Sequence, residues 1–173
     1  MKVKQLSHQE IQNAQRQFPL QVIAENISSP ENVGMIFRIC EAMGVEALVL
    51  SGESAVPPHR KISKTARSSE ERVVHRRVED TLAAIRQAQE AGFRVLALEI
   101  TNTSTSIGQY DFRPYEKVVL VIGGERHGVD QATLEAVDGC VHIPMFGLNT
   151  SINVVTALSI GLYEVTRQWT SVQ

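Results

Sequence analysis

Residues 118–130 read VVLVIGGERHGVD. Five apolar residues, Val118 to Ile122, run without interruption into Gly123-Gly124. A charged cluster, Glu125-Arg126-His127, follows before Gly128. An apolar run of this length without alternation reads as a strand covered on both faces, the usual state of a strand in a parallel sheet. The loop that follows it has almost no side-chain bulk. Working outward, Leu20–Glu25, Glu46–Ser51, Arg72–His75, Phe93–Glu99 and Gly139–Ile143 also read as strands, as does Lys117–Ile122. Between them, helices are expected over Asn32–Met43 (stopped at Gly44), from an Asp80 cap to just before Gly92, over Asp130–Val137 and over Ser151–Trp169. Ser7-His-Gln-Glu10 has capping-box spacing and predicts a short polar helix to about Gln17, within an N-terminal extension of residues 1–19. Strands alternating with helices predict one α/β domain over residues 1–173, a mainly parallel sheet flanked by helices. In such sheets ligands bind at the carboxyl ends of strands, which is where the glycines after Ile122 fall.

A chain of 173 residues is long enough to bury roughly 70% of its unfolded surface. Its longest apolar runs fall well short of the roughly 20 residues of a membrane span, and the N-terminus lacks the apolar core of a signal peptide. Cys40 and Cys140 lie far apart in apolar surroundings and read as reduced thiols. Together these point to a cytoplasmic protein. Net charge is −2, but residues 59–77 hold seven basic residues against two acidic ones. A basic segment on an acidic body fits contact with a polyanion, and it also fits a solvated helix and loop.

Three places can carry chemistry. In SPENVGMIFRICEAMG, Arg38 is a cation on a helix meant mostly for burial, and Gly34 one turn away admits another backbone or a ligand. Glu31, Gly34, Arg38 and Glu41 share a face by spacing. In VIGGERHGVD there is neither a G-x-G-x-x-G fingerprint nor a Walker lysine motif. In HIPMFGLNTSINVVTALSIGLYEV, four polar residues, Asn149, Thr150, Ser151 and Asn153, crowd a helix start where capping accounts for one or two. The helix after them is apolar nearly all round, which predicts cover on both sides and hence a homodimer, with Ala157 and Gly161 allowing close approach of a second subunit. The five histidines show no metal-ligand spacing, so no metal site is expected.

Taken in order, SPENVGMIFR, VIGGERHGVD and HIPMFGLNTSINVVTALSIGLYE resemble the three motifs of the SpoU (TrmH-type) branch of the SPOUT RNA ribose methyltransferases. The likeness extends over about residues 20–168. It implies an α/β fold with a C-terminal deep trefoil knot, and S-adenosylmethionine held in the knot's loops. By resemblance that pocket is formed by Leu98, Ile122, Gly123, Gly124, Ile143, Met145, Leu148, Ser151 and Ile152, the two glycines leaving room for the cofactor. The implied reaction is methyl transfer to a ribose 2′-hydroxyl, with Arg38, Glu125, Ser151, Asn153 and Asn32 as catalytic residues. In the family the arginine is proposed to take the hydroxyl proton. A guanidinium rarely gives up its own proton, so holding a phosphate or the forming alkoxide suits Arg38 as well, with Glu31 or Glu41 as its partner when RNA is absent.

The chain departs from many relatives in lacking a separate N-terminal RNA-binding domain and long terminal helices, and in having Ile152 where Leu is common. Arg60, Lys61, Lys64 and Arg67, with Arg126 and His127, are then the candidates for RNA contact. The expected substrate is tRNA, with rRNA as the alternative. A knotted RNA-binding protein without catalysis is the reading from a different class.

Overall fold

The structure, a computed structural model, describes residues 3–7 and 10–171. In chain order the elements are β1 (Phe18–Glu25), α1 (Pro30–Ala42), β2 (Val45–Ser51), α2 (Arg60–Ala66), a 3-10 turn (Ser69–Glu71), β3 (Val74–Val78), α3 (Thr81–Glu90), β4 (Arg94–Leu98), β5 (Thr105–Ser106), β6 (Val118–Ile122), α4 (Gln131–Ala136), β7 (Gly139–His142) and α5 (Val154–Thr170). The strands form one seven-stranded sheet in the order β3-β2-β1-β6-β4-β7-β5, every pairing parallel.

The unbroken apolar run of residues 118–122 is explained by its place. β6 lies between β1 and β4, with Val22 beside Leu120 on one edge and Leu96 beside it on the other. Alternate side chains of each central strand go to opposite faces. Leu20, Val22, Leu48, Leu50, Leu96, Leu120 and Ile122 pack under α1, α2 and α5. Ile23, Val49, Val95, Val119 and Val121 pack under α3 and α4. With both faces covered, neither set needs a polar alternate, and each buried aliphatic side chain contributes roughly 1.5–3 kcal/mol. Cys40 belongs to the first face and Cys140 packs against the second, and both are free thiols. Burial pushes the Cys40 thiol well above its ordinary range.

Several expectations are corrected. Ser7 does donate to Glu10 Oε2 through its N–H and its Oγ, each at 2.9 Å. Residues 11–17 nevertheless carry no helix, and His8 and Gln9 lie outside the described residues. A polar segment this short has no apolar face to dock, and isolated helices under about 12 residues are marginal. Within the basic segment of residues 59–77, Arg60–Ala66 form the two-turn helix α2, because Ile62 and Ala66 are buried against α1. Gly34 makes that packing possible: a Cβ there would overlap Thr65 Oγ1 and crowd the Ile62 carbonyl. The space beside Gly34 is therefore filled by α2 and not by a ligand. Residues 105–106, not among the strands read from the sequence, pair with β7 as β5.

α5 begins at Val154, three residues later than expected, with Asn153 as its cap. It is not apolar all round. Its outward stripe is Thr156, Ile160, Tyr163, Arg167 and Thr170, while Gly161 faces the sheet. A Cβ on Gly161 would lie 3.1 Å from Leu98 Cδ2 and 3.2 Å from Leu120 Cδ1. Gly161 thus admits the chain's own sheet, and the close approach of a second subunit expected there is withdrawn. Among the described residues no helix is long and apolar enough to cross a membrane.

Candidate functional site

The carboxyl ends of β4, β6 and β7 open into one cleft of about 890 Å³. Its apolar wall comes from Leu98, Ile122, Leu134, Ile143, Met145 and Ile152, and its polar rim from Glu125, Arg126, His127, Thr150, Ser151 and Asn153. The volume lies within the ~300–1,000 Å³ of small-molecule sites, and an apolar wall with a few polar groups is their usual make-up. Of the residues expected around a cofactor, Leu98, Ile122, Gly123, Gly124, Ile143, Met145, Ser151 and Ile152 all line it. Leu148 does not. It is fully exposed, as is its neighbour Phe146, in the irregular loop of residues 144–150 that precedes α5.

Three polar side chains from distant parts of the chain meet at the rim. Ser29 caps α1, its Oγ accepting from the Asn32 N–H at 3.2 Å, and Pro30 takes the first helical position. That start places Asn32, whose Nδ2 donates to Glu125 Oε1 at 2.7 Å. Asn153 Nδ2 reaches Asn32 Oδ1 at 3.5 Å, while Asn153 Oδ1 accepts from the Val155 N–H at 2.8 Å. Asn153 is therefore held by its cap and Asn32 by its helix, and together they orient a carboxylate at the mouth of the cleft. Ser151 lines the same rim, two residues before the cap.

Arg38 is not with them. It is exposed on α1, does not line the cleft, and among the described residues makes no salt bridge and no side-chain hydrogen bond. The expected buried cation is corrected: the outward stripe of α1 is Glu31, Met35, Arg38 and Ala42, and Arg38 points to solvent with it. Nor do the two nearby carboxylates meet Arg38. Glu31 Oε1 pairs with Lys61 Nζ at 2.9 Å, and Glu41 Oε1 lies 3.5 Å from Arg72 Nη1. The Lys61 ammonium holds the Glu31 carboxyl below its ordinary range. Arg60, Lys61, Lys64 and Arg67 are all exposed on or just after α2. Arg76 and Arg77 fall instead on the sheet's edge strand, β3, where Arg76 donates to Gln87 of α3.

The glycines differ from expectation in what they admit. A Cβ on Gly123 would overlap the backbone of Gly128 and Val129, and one on Gly124 would press on the Asn26 carbonyl. Gly128 N–H donates to Gly124 O at 2.9 Å, closing a tight turn over Glu125, Arg126 and His127, with Gly128 at φ +67°. These positions lack side chains because the chain's own backbone occupies the space. The expectation that they chiefly leave room for a cofactor is corrected on that ground.

Two carboxylates missed in the sequence hold this loop. Glu99 Oε2 accepts from the Val129 N–H at 3.2 Å. Glu25, only 2% exposed, accepts from the Asp130 N–H at 3.0 Å and the Thr133 hydroxyl at 2.6 Å. The available signal is that two apolar strand sequences, PLQVIAE and RVLALE, each run into a glutamate.

With this geometry in view, comparison with known proteins is informative. A model of the SpoU rRNA Methylase family matches residues 19–163. A tRNA (guanosine(18)-2′-O)-methyltransferase of Thermus thermophilus is 32% identical over 154 residues, covering 88% of this chain and 77% of that protein. The crystal structure of the SpoU methyltransferase AviRb from Streptomyces viridochromogenes, in complex with the cofactor AdoMet, superposes with a TM-score of 0.79 at 27% identity. That match covers 90% of this chain and 60% of the other. A structure described as giving insights into the 2-OH methylation of C/U34 on tRNA superposes with a TM-score of 0.77 at 27% identity, covering 88% of this chain and 97% of that one.

The turn can be tested apart from any ligand. Gly123→Val forces a branched side chain into the backbone of residues 128–129, so it is expected to lower stability in a urea melt by at least about 2 kcal/mol. A variant as stable as the parent would return the glycine to a ligand-clearing role.

Proposed function

We propose, because the chain belongs to the SpoU rRNA Methylase family, that it transfers a methyl group from S-adenosylmethionine to a ribose 2′-hydroxyl of RNA. The observation that carries this is the coincidence of the family match with the site. The matched residues contain all three segments whose side chains meet as Asn32, Glu125 and Asn153 at the rim of the cleft. The cleft suits the cofactor: an apolar wall for the adenine, and carboxylates, Glu99 and Glu125, on the lining of a site for a cationic ligand. When bound, S-adenosylmethionine supplies a methyl group activated on a positively charged sulfur. We include in the proposal the deep knot of residues from about Leu120 onward. Its support is the strand order, in which the late strand β6 is inserted between β1 and β4.

The hydroxyl must lose its proton as the new bond forms. Glu125 Oε1 is occupied by Asn32 Nδ2, which leaves Oε2 to accept that proton. Arg38 keeps its own proton and supplies charge. Its support is that α1's acids are engaged by Lys61 and Arg72, leaving the guanidinium free for a phosphate. Leu98, Ile122, Gly123, Gly124, Ile143, Met145, Ser151 and Ile152 hold the cofactor. tRNA is the substrate class we favour, because the relatives named for tRNA include one of nearly this chain's length. The family's description keeps rRNA as the second reading. Contact with RNA falls to α2 and the turn, through Arg60, Lys61, Lys64, Arg67, Arg126 and His127, all exposed, with this one domain carrying both binding and chemistry. The two free thiols fit a cytoplasmic setting. The assembly we propose is a homodimer that covers Met35, Ile160 and Tyr163, which are 39%, 39% and 58% exposed. Arg38 shares the stripe of Met35 and so falls at that interface.

Three measurements test these assignments. With radiolabelled S-adenosylmethionine and bulk tRNA, the parent protein is expected to label ribose, and Arg38→Ala to cut the rate by about a hundredfold while leaving cofactor affinity within a few-fold. Arg38→Lys should rescue little, since it loses the planar fork. Near-normal turnover by Arg38→Ala would remove the residue from the chemistry.

Changing Arg60, Lys64 and Arg67 together to Ala should weaken RNA binding and reduce the slope of log affinity against log salt by about 2, because fewer counterions are released. An unchanged slope would make α2 an ordinary solvated helix.

Sedimentation should show a dimer that Ile160→Asp with Tyr163→Asp converts to monomer. A parent chain that is monomeric and active at micromolar concentration would overturn the assembly.

A further inference from the structure

We infer that Glu25 is a positioning residue for the loop of residues 123–130, and that its buried carboxylate thereby sets the affinity for S-adenosylmethionine. The inference rests on the proposal that the cleft holds that cofactor.

Glu25 ends β1 beside the end of β6, where Ala24 pairs with Ile122. It does not line the cleft, and among the described residues no cation pairs with it. Burying a carboxylate is costly unless hydrogen bonds replace the lost water. Here they come from the end of the loop and from α4. The Asp130 N–H donates to Oε2 at 3.0 Å and the Thr133 hydroxyl donates to Oε1 at 2.6 Å. The next residue, Asn26, grips the same loop twice. Its carbonyl lies against Gly124, and its Nδ2 donates to Asp130 Oδ2 at 3.1 Å. Asn26 is itself fixed, with Oδ1 accepting from the Glu53 N–H at 3.0 Å.

Glu25, the last residue of β1, and Asn26 just after it thus hold both feet of the loop, Gly124 and Asp130. Between the feet, Glu125, Arg126 and His127 are exposed, the Gly128 N–H donates to Gly124 O, and Asn32 and Glu99 take the Glu125 side chain and the Val129 N–H. Beyond the second foot, Gln131 and Leu134 of α4 continue the cleft wall. The Glu25 carboxylate, with Asn26 beside it, therefore helps to place the start of α4 and one side of the cleft. An apolar residue at position 25 would leave the part-buried Asp130 N–H and the buried Thr133 hydroxyl without this acceptor, a loss large compared with a solvated hydrogen bond.

A side chain that only supported the fold would lower stability and leave the affinity of the folded protein alone. Isothermal calorimetry with S-adenosylmethionine, beside urea melts of the same preparations, separates the two roles. Glu25→Ala is expected to weaken binding by about tenfold or more in protein that circular dichroism shows to be folded. Glu25→Gln should restore it to within about threefold, because its carbonyl still accepts from the Asp130 N–H while its amide donates to the Thr133 hydroxyl. A folded Glu25→Ala that binds within twofold of the parent overturns the inference. Where Glu25→Ala does not fold, Thr133→Val carries the test. It removes one of the two bonds at nearly constant volume and should weaken binding about threefold, and unchanged binding overturns the inference equally. A parent protein that does not bind S-adenosylmethionine overturns the functional proposal and this inference with it, whereas a parent that binds beside an equally tight Glu25→Ala overturns the inference alone.

Discussion

β6 is enclosed on every side, and the rest of the site follows from that enclosure. β1 and β4 occupy its two edges, helices cover both faces, and none of its five residues is more than 1% exposed. The chain leaving such a strand must turn back inside a space already filled by neighbours. It does so with Gly123 against residues 128–129 and Gly124 against Asn26, where no Cβ fits. Glu125 rides on the tip of that turn, and so the carboxylate arrives beside the first turn of α1, where Asn32 receives it. A local steric limit on two glycines thus fixes the place of a charged group 93 residues distant in sequence from its partner.

The parts of the fold legible in the sequence are those whose burial leaves a pattern. Strands covered on both faces show as unbroken aliphatic runs, and Asp80, Pro30 and Gly44 mark helix ends by their local chemistry. β5 leaves no such trace. Thr105 and Ser106 are polar and are ordered by pairing with β7, which no local window contains. α2 was obscured by its own cations, since its stability comes from Ile62 and Ala66 fitting against a gap at Gly34 on another helix. The N-terminal capping box failed in the opposite way. Its local contact forms between Ser7 and Glu10, yet residues 11–17 are all exposed, and the helix does not follow.

Charge was the least legible feature. Arg38 read as a buried cation seeking an anion, because its helix is apolar and two glutamates lie at helical spacing. The sequence could not show that α2 and the 3-10 turn after it bring Lys61 and Arg72 to those glutamates. Exposed pairs of this kind add little stability, typically under about 1 kcal/mol. Their consequence is electrostatic: they occupy the acids that would otherwise neutralise Arg38. Within the segment of residues 59–77, charges that looked like one patch divide between the α2 surface, two ion pairs and the edge strand β3.

The carboxylates of the molecule divide by burial in a way that matches their work. Glu125 is exposed, spends one oxygen on Asn32 and keeps the other available, which suits a group that exchanges a proton. Glu25 is buried and spends both oxygens on donors of the chain, which suits a group that holds a shape. Glu99 stands between them, half-buried on the cleft lining with its oxygens on the amides of Ile100 and Val129. Composition counts all three alike. What separates them is where each strand or loop ends relative to its neighbours, and that is a property of the sheet order rather than of any local stretch. Three glutamates around one loop, each with a different degree of freedom left, thus join the rigidity of the cleft wall to the reactivity of its rim.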